Sequence, residues 1–484
     1  MISPSARWAR SAPYLSALAV LAGQHAFCAT AAVDDSASLR LSNSLMVVPQ
    51  FAQPTEPSTV TPLVKLLTAA MQQAASVRAA DAQSVAARAQ EKQAWARAWM
   101  PTLELNASKS RQQQTYNDST DLKVPASDIK LTAALPVWRA GDRADAKAKD
   151  AAAEQNNWAA RAQRGSVGRD LGLAYVAAAE AAEQRRLADA QIELLQTQLG
   201  INDRRLQGGM GTVLDQLETR TRLDQVRANS REQAMRAATQ RLAMERVSGV
   251  AIVLPSGFNA RQTDLPDQLP SLNEALQAAA TANPQLLGAQ ADVAAAKATV
   301  SARDADFWQP TLDMQVWTER SRQTQHFDGL SDPQNINTHS AVGVLLNWPI
   351  FSGGFQHGRT QEATAMLTRS QANQDDAVST VQTGLRDAYQ SLAQARAMIT
   401  THHDVEQSAI ASFEATRKAF AAGLRTNLDL LDAQQRIYTA RQNQVAARVT
   451  ALTAYINILA LLDQLDEQHV APLAAQFDAA AMPE

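Results

Sequence analysis

The chain has 484 residues and a formal net charge of −3, with 19% charged and 5% aromatic residues. This charge excludes the strongly basic surface that nucleic-acid-binding proteins use. The small aromatic content argues against a single large globular core and favours long helices with narrow apolar seams.

Residues 1–31 have the layout of a secretory signal peptide. Two arginines precede an apolar run from Tyr14 to Gly23, and small residues follow up to Ala31. The run is too short for a membrane-spanning helix, which needs about 20 residues. Cleavage after Ala31 would also remove Cys28, the only cysteine. Lipid attachment at Cys28 is the alternative, although the bulky Phe27 precedes it.

The first of two structural repeats is predicted at residues 61–247, after a flexible, proline-containing leader at 32–60. A helix is expected to run up to Pro101. Alternation of apolar and polar residues then predicts strands at about 101–113 and 127–137, joined by a polar loop. A long span without proline follows, and glycines at 208–211 interrupt it, which predicts a helical hairpin with its tip there.

The second repeat is predicted at residues 271–465, after a linker at 248–270. Met100–Leu105 returns as Gln309–Met314, and Gly209–Asp215 returns as Gly423–Asp429, which indicates an internal duplication. The same patterns predict strands at about 310–318 and 339–350 and a hairpin tip at 422–425. Residues 466–484 are interpreted as a C-terminal tail.

Five tryptophans fall where the predicted strands meet the predicted helices: Trp95, Trp99, Trp138, Trp308 and Trp348. Indole rings prefer the membrane interface, so these residues are candidates for an interface girdle. Strands of about ten residues can cross a bilayer when tilted. Four such strands cannot close a barrel, which needs at least about eight, so the chain is expected to oligomerise.

The long helices carry apolar residues at strict intervals of seven, as coiled coils do. One series contains Leu187, Leu194 and Ile201; the other contains Leu431, Tyr438, Val445, Leu452 and Leu459. Three glycines interrupt the first long helix, and the sequence alone does not explain them: Gly165, Gly168 and Gly172.

From about Thr61 to Leu465 the chain resembles the TolC family of bacterial outer-membrane export channels. The duplication, the segment Trp348–Gly354 and the segment Gly423–Gln434 carry this resemblance. It implies an α+β membrane protein. Three copies would each give four strands to a 12-stranded transmembrane β-barrel, and a long α-helical coiled-coil barrel would continue it into the periplasm.

The resemblance further implies a passive duct in the outer membrane for type I protein secretion, drug efflux or both, with no enzymatic activity and no cofactor. A periplasmic adaptor and an inner-membrane ABC or proton-driven transporter would open it. The hairpin tips and the C-terminal half look closest to members that serve protein secretion as well as drug efflux. The exported substrate cannot be read from the sequence.

The resemblance also implies a periplasmic gate at the tips. Asp429 and Asp432 match positions that ring the constricted entrance, and Asp215 and Arg425 match positions that tie neighbouring helices shut. From the residues alone, an aspartate after a tip glycine is also what a solvated helix N-terminus favours.

The tip glycines Gly209, Gly211 and Gly423 would form the docking surface for the adaptor. From the residues alone, each glycine is also explained if it only permits the tight turn, and that explanation is compatible with docking. Phe420 and Leu214 stand where the family has tyrosine and threonine, so part of the hydrogen-bonded latch is expected to differ.

An enzyme and a soluble scaffold are the two alternatives to a channel. An enzyme is disfavoured because no phosphate-binding loop, nucleophile elbow or metal-ligand spacing is present; the adjacent His402 and His403 point to different sides of a helix. A soluble periplasmic coiled-coil scaffold or adaptor would share the signal peptide, heptads and glycine hairpins. Such a protein has no need of four strands bordered by tryptophan.

Overall fold

The computed structural model describes residues 63–116, 120–254, 269–324 and 334–478. The predicted signal peptide, the leader and most of the predicted linker lie outside the described residues. In chain order the elements are α1 (Leu63–Gln73), α2 (Ala75–Trp99), β1 (Thr102–Tyr116), β2 (Thr120–Trp138), α3 (Ala140–Gln207), α4 (Val213–Ser248), α5 (Leu272–Ala282), α6 (Pro284–Trp308), β3 (Thr311–Thr324), β4 (Gln334–Asn347), α7 (Phe355–Ala421), α8 (Asn427–Leu461) and α9 (Glu467–Asp478).

The four strands form one antiparallel sheet in the order β1-β2-β3-β4. The predicted combination of four strands with two long helical hairpins is confirmed. The strands differ from their predicted bounds: β2 begins at Thr120 rather than near 127, and β3 continues to Thr324 rather than 318. The sequence predicts loops at these strand ends, but the backbone ladder does not need a continuous pattern of apolar side chains. At the other end β4 stops at Asn347 rather than 350, before Pro349, which has no N–H to donate.

The helices form two long hairpins. α3 has 68 residues and α7 has 67, so each is about 100 Å long at roughly 1.5 Å per residue. The first predicted helix is divided at Ala74, whose extended ψ of 134° separates α1 from α2. The predicted C-terminal tail contains a packed helix, α9, because Val470, Leu473 and Phe477 are buried. Phe477 meets the ring of Tyr175 edge-on, with 5.1 Å between ring centroids.

The main apolar core joins α1, α3, α8 and α9, and Ile252 of the predicted linker also packs into it. All five residues of the second heptad series are buried. In the first series Leu187 is buried, whereas Leu194 and Ile201 are 42% and 37% exposed within one chain. Among the described helices, α8 is the one long and apolar enough to cross a membrane by length and composition, but most of its apolar window is buried in the helical body.

The glycines of α3 allow close packing of helices. A Cβ atom on Gly168 would lie 3.2 Å from Sδ of Met71 in α1, and one on Gly172 would lie 3.4 Å from the side chain of Ile456 in α8. Both distances are at or below the short end of ordinary contact, so larger side chains would push the helices apart. The two glycines therefore let α3 lie against α1 and α8 at the same level.

We expect Gly168→Leu to lower the free energy of unfolding by about 1–3 kcal/mol, because the added side chain overpacks the contact with Met71. Thermal unfolding of the purified chain measures this effect. Gly200→Leu in the same helix is the matched control, since a Cβ atom there meets nothing within 4 Å in one chain. Equal unfolding temperatures for the two variants would contradict the packing role of Gly168.

Candidate functional site

One face of the sheet is apolar and exposed. The strand register puts Leu131 beside Leu105 on one side and Thr318 on the other, and it puts Val316 between Ala133 and Val342. The exposed large apolar side chains on this face include Leu103, Leu105, Ile129, Leu131, Leu135, Met314, Val316, Ile336, Val342, Val344 and Leu346. Water does not favour a continuous exposed face of this kind, which marks a surface that contacts lipid or another protein.

The opposite face is mostly polar. Ser108 donates a hydrogen bond to Asp128 at 3.2 Å, and Lys130 lies 3.9 Å from Glu319 on the next strand. From Thr311 to Ser321 of β3 the residues of this face are buried or partly buried, whereas Met314 and Val316 on the apolar face are exposed. On this central strand the apolar face is therefore the more exposed one.

The two outer strands have open edges. Within the described residues, β1 pairs only with β2, and β4 pairs only with β3. Unpaired N–H and C=O groups cost several kcal/mol each in lipid, so such a sheet needs additional strands before it can enter a membrane.

The five predicted interface tryptophans are all exposed, with fractions between 46% and 71%. They lie at the helical end of the sheet, where α2, α3 and α6 meet the strands. The guanidinium of Arg143 lies 4.0 Å from the ring centroid of Trp99 and 5.1 Å from that of Trp138. Arg143 also donates a hydrogen bond to the carbonyl of Val137 at 3.0 Å. This stack fixes α2, β2 and α3 to one another; the interface role of the tryptophans stays a prediction.

A second cluster at this junction was not predicted. Arg139 donates two hydrogen bonds to the carboxylate of Asp313, at 2.7 and 2.8 Å. Asp313 is 7% exposed, and bidentate pairs of this kind fix side-chain geometry. Nearby, a Cβ atom on Gly141 would overlap the carboxylate of Asp306, so a larger residue there requires the side chain of Asp306 to move. These contacts connect residues about 170 positions apart, which no local sequence pattern reveals.

The predicted tip glycines occupy the two hairpin turns. Gly209 and Gly423 have positive φ angles of 71° and 75°, which glycine adopts without strain. A Cβ atom on Gly211 would lie 3.0 Å from the backbone nitrogen of Leu206. Each glycine is thus explained by the turn itself, and docking of an adaptor at these positions stays a prediction. Both turns also expose large apolar side chains, Met210 at 74% and Leu424 at 79%.

The predicted gate residues Asp215 and Asp429 begin the returning helices. Each closes a capping box with the threonine three residues before it, Thr212 or Thr426. The backbone N–H and the hydroxyl of Thr426 donate to Asp429 at 3.0 and 2.9 Å. These bonds, with Arg425 at 3.6 Å, hold the pKa of Asp429 below its usual value. Helix capping alone accounts for both aspartates, as the residues had suggested, and their role in a gate stays a prediction.

The other predicted gate residues make contacts near the tips. Within the described residues, Asp215 bonds to Thr212, and Arg425 lies 3.6 Å from Asp429 of its own hairpin. Asp432 pairs with Arg222 at 2.8 Å and so connects α8 to α4, the second hairpin to the first. The guanidinium of Arg205 lies 4.9 Å from the ring centroid of Phe420. A cation–π contact therefore stands at the position where the hydrogen-bonding tyrosine was expected.

A buried polar cluster near the tips escaped the sequence analysis. Asn202 of α3, Thr219 of α4 and Asn427 of α8 are 4%, 0% and 3% exposed. Nδ2 of Asn202 donates to Oγ1 of Thr219 at 2.9 Å and to Oδ1 of Asn427 at 3.2 Å. Nδ2 of Asn427 donates to Oγ1 of Thr219 at 3.3 Å, and Gln198 donates to Asn202 and Asn427. The sequence signal that could have indicated this cluster is the presence of Asn202, Thr219 and Asn427 close to the apolar residues that pack between the helices.

In the described part of the chain, no group of three or more histidine, cysteine, aspartate or glutamate side chains is arranged to hold a metal ion. The predicted absence of a cofactor and of catalysis stays a prediction.

Residues 66–250 and 275–464 match the family described as outer membrane efflux protein. The chain is 30% identical over 311 residues to the alkaline protease secretion protein AprF of Pseudomonas aeruginosa, and this match covers 63% of each chain. It is 27% identical over 303 residues to the proteases secretion protein PrtF of Dickeya chrysanthemi, covering 62% of this chain and 64% of the relative. Both matches therefore span less than two thirds of the relatives' length. The fold is similar to that of the Campylobacter jejuni CmeC outer membrane channel, with a TM-score of 0.71, 16% identity and coverage of 88% of this chain and 93% of that one.

Proposed function

The chain belongs to the outer membrane efflux protein family, and on this premise we propose that it is the outer-membrane channel of an export system. Its sheet forms part of a barrel in the outer membrane, and its helices form a tunnel in the periplasm. The channel is a passive exit without catalytic activity.

One observation carries the proposal: the sheet is apolar and exposed on one face and mostly polar on the other. A barrel in lipid needs this arrangement, with apolar side chains outside and polar ones around the lumen. A soluble scaffold would bury the apolar face against its own helices. Within one chain that face stays uncovered.

The open edges of β1 and β4 support assembly with further copies. Four strands per chain are too few for a closed barrel, and three copies give 12, within the range of known membrane barrels. The exposed Leu194 and Ile201 continue a heptad seam, which is consistent with helical contacts between copies below the membrane. We therefore propose a homotrimer whose β4 and β1 strands pair from one copy to the next.

Polypeptides exported by type I secretion are the proposed substrate class, because AprF and PrtF are both described as protease secretion proteins. A periplasmic adaptor and an inner-membrane transporter would deliver the substrate. The adaptor docks on the hairpin tips at Gly209, Gly211 and Gly423, and the tips form the gate. Asp429 and Asp432 face the entrance from the second hairpin in this proposal.

The experiment is to express the full chain, separate soluble periplasm from outer membrane, and record single-channel currents of the purified protein in planar bilayers. We expect the protein in the membrane fraction and discrete conductance steps. Recovery in the soluble periplasm without detergent would favour the soluble scaffold and contradict the channel. Secretion of a protease by a strain that lacks its own outer-membrane channel, when supplied with this chain and a matching adaptor and transporter, tests the substrate class.

A further inference from the structure

Four basic side chains lie together on the apolar face of the sheet, at the end of its apolar surface, where Ile129 is paired with Arg320 and Ile336 with Arg322. Lys109 and Arg111 belong to β1, and Arg320 and Arg322 belong to β3; all four are exposed. The register places Ser127 of β2 between Lys109 and Arg322. We call these four residues the basic cluster.

Positive and negative charges are distributed unequally over the two faces. From Thr102 to Arg111 of β1 and at the positions paired with them, the carboxylates lie on the polar face, on Glu104, Asp128, Asp313 and Glu319, and the apolar face has none. Asp121 of β2 is at a register position of the apolar face farther along the sheet, opposite Thr115. Within the described residues, none of the four cations is in an ion pair or hydrogen bond. Exposed cations gathered at this spacing repel one another, so the cluster is stabilised by an external anion.

The cluster lies at the end of the sheet far from the helices, because the helices join the strands at the opposite ends, near Thr102, Trp138, Thr311 and Asn347. The inference rests here on the proposed function. If the helical body is periplasmic, this end of the sheet faces the outer leaflet of the outer membrane, at the level of the lipid headgroups.

A groove of about 460 Å³ lies on the apolar face, nearer the helices than the cluster. It is lined by Leu103, Leu131, Ala133, Val316, Trp317, Thr318, Ser340, Ala341 and Val342. Thr318, the lining residue nearest the cluster, is two residues from Arg320 along β3. An apolar groove that continues from a group of cations toward the helical end matches a molecule with an acyl chain and an anionic headgroup.

We propose that the basic cluster binds the phosphate groups of a phosphorylated glycolipid of the outer leaflet, with an acyl chain extending along the apolar face toward the groove. Strands lie about 4.8 Å apart, so Lys109 and Arg322 are separated by about 10 Å, and residues two apart on one strand by about 7 Å. Guanidinium groups bind phosphate through two parallel hydrogen bonds. The hydroxyl of Ser127 can add a donor between them.

The test compares binding of two probes to the purified full-length oligomer in detergent: lipopolysaccharide, and the same preparation after removal of its lipid phosphates. The variant carries Lys109→Gln, Arg111→Gln, Arg320→Gln and Arg322→Gln. The matched control removes the same charge from exposed helix positions through Arg88→Gln, Lys92→Gln, Arg231→Gln and Arg246→Gln. Arg320→Gln with Arg322→Gln serves as a second, smaller variant if the fourfold variant does not assemble.

We expect the unchanged chain and the control to bind the phosphorylated lipid at least about tenfold more tightly than the dephosphorylated lipid, since each cation near an anionic lipid contributes about 1 kcal/mol. The cluster variants should lose this preference, and added salt should weaken it in the unchanged chain. Equal affinity of variant and unchanged chain for the phosphorylated lipid would overturn the inference. Conductance in bilayers of uncharged phospholipid tests the channel separately, because it does not require the glycolipid.

Discussion

Replacement of Val316 by arginine is expected to abolish assembly in the outer membrane. Val316 is 47% exposed in the middle of the apolar face, flanked by Ala133 and Val342 on the neighbouring strands. An arginine on the lipid side of a barrel at mid-bilayer depth costs about 2–4 kcal/mol. A trimer would carry three copies, so the cost reaches roughly 6–12 kcal/mol if the copies add. The measurement is the amount of folded oligomer in the outer-membrane fraction, detected by its altered gel mobility before heating.

Gln315→Arg provides a control one residue away in the sequence. Gln315 lies on the polar face, between Ala134 and Gly343. A lumen-facing charge remains in water, so this variant should assemble normally and change only the conductance or ion selectivity of the channel. Normal assembly of both variants, or failure of both, would contradict the assignment of the two faces and with it the observation that carries the proposed function.

The sequence was sufficient to predict the sheet, because each strand alternates apolar and polar residues and the duplication repeats the alternation. It did not predict how far the strands extend. In β2, Leu122, Val124 and Ala126 alternate in the opposite phase to the apolar residues after 127, so they do not continue the predicted pattern. Their backbone groups nevertheless pair with β1, and the pairing extends to Thr120. The length of β2 therefore depends on hydrogen bonds to its partner strand β1, which a local sequence pattern does not show.

At the hairpin tips, too, the sequence predicted the local features and did not predict the contacts between hairpins. Glycines with positive φ and threonine–aspartate capping boxes are local features, and the sequence placed Gly209, Gly423, Asp215 and Asp429 at the turns. The contacts between hairpins are not local. The pairing of Arg222 with Asp432 and the buried cluster around Asn427 join residues more than 200 positions apart, so they follow from the packing of α3, α4 and α8.

The buried cluster leads to the second large expected effect. Asn427→Leu should open the periplasmic end of the channel in its resting state and raise single-channel conductance in planar bilayers. The substitution leaves Asn202 and Thr219 with fewer hydrogen-bond partners in a buried site, which costs about 1–3 kcal/mol. Because Asn427 belongs to the second hairpin and its partners to the first, this cost falls on the packed arrangement and is relieved when the hairpins separate. A difference of about 1.4 kcal/mol would raise the open fraction roughly tenfold.

Asn229→Leu is the matched control, because the amide of Asn229 bonds only within α4, to Gln233 at 3.2 Å, among the described contacts. It should leave the conductance unchanged, since no contact between hairpins is lost. Arg222→Ala removes the exposed pair with Asp432, which contributes about 0–1 kcal/mol, and should have a smaller effect than Asn427→Leu. If Asn427→Leu only lowers the unfolding temperature and leaves conductance unchanged in intact oligomers, the cluster supports the fold without restraining the gate. The proposed gate would then depend on contacts between copies, at Asp429 and Arg425.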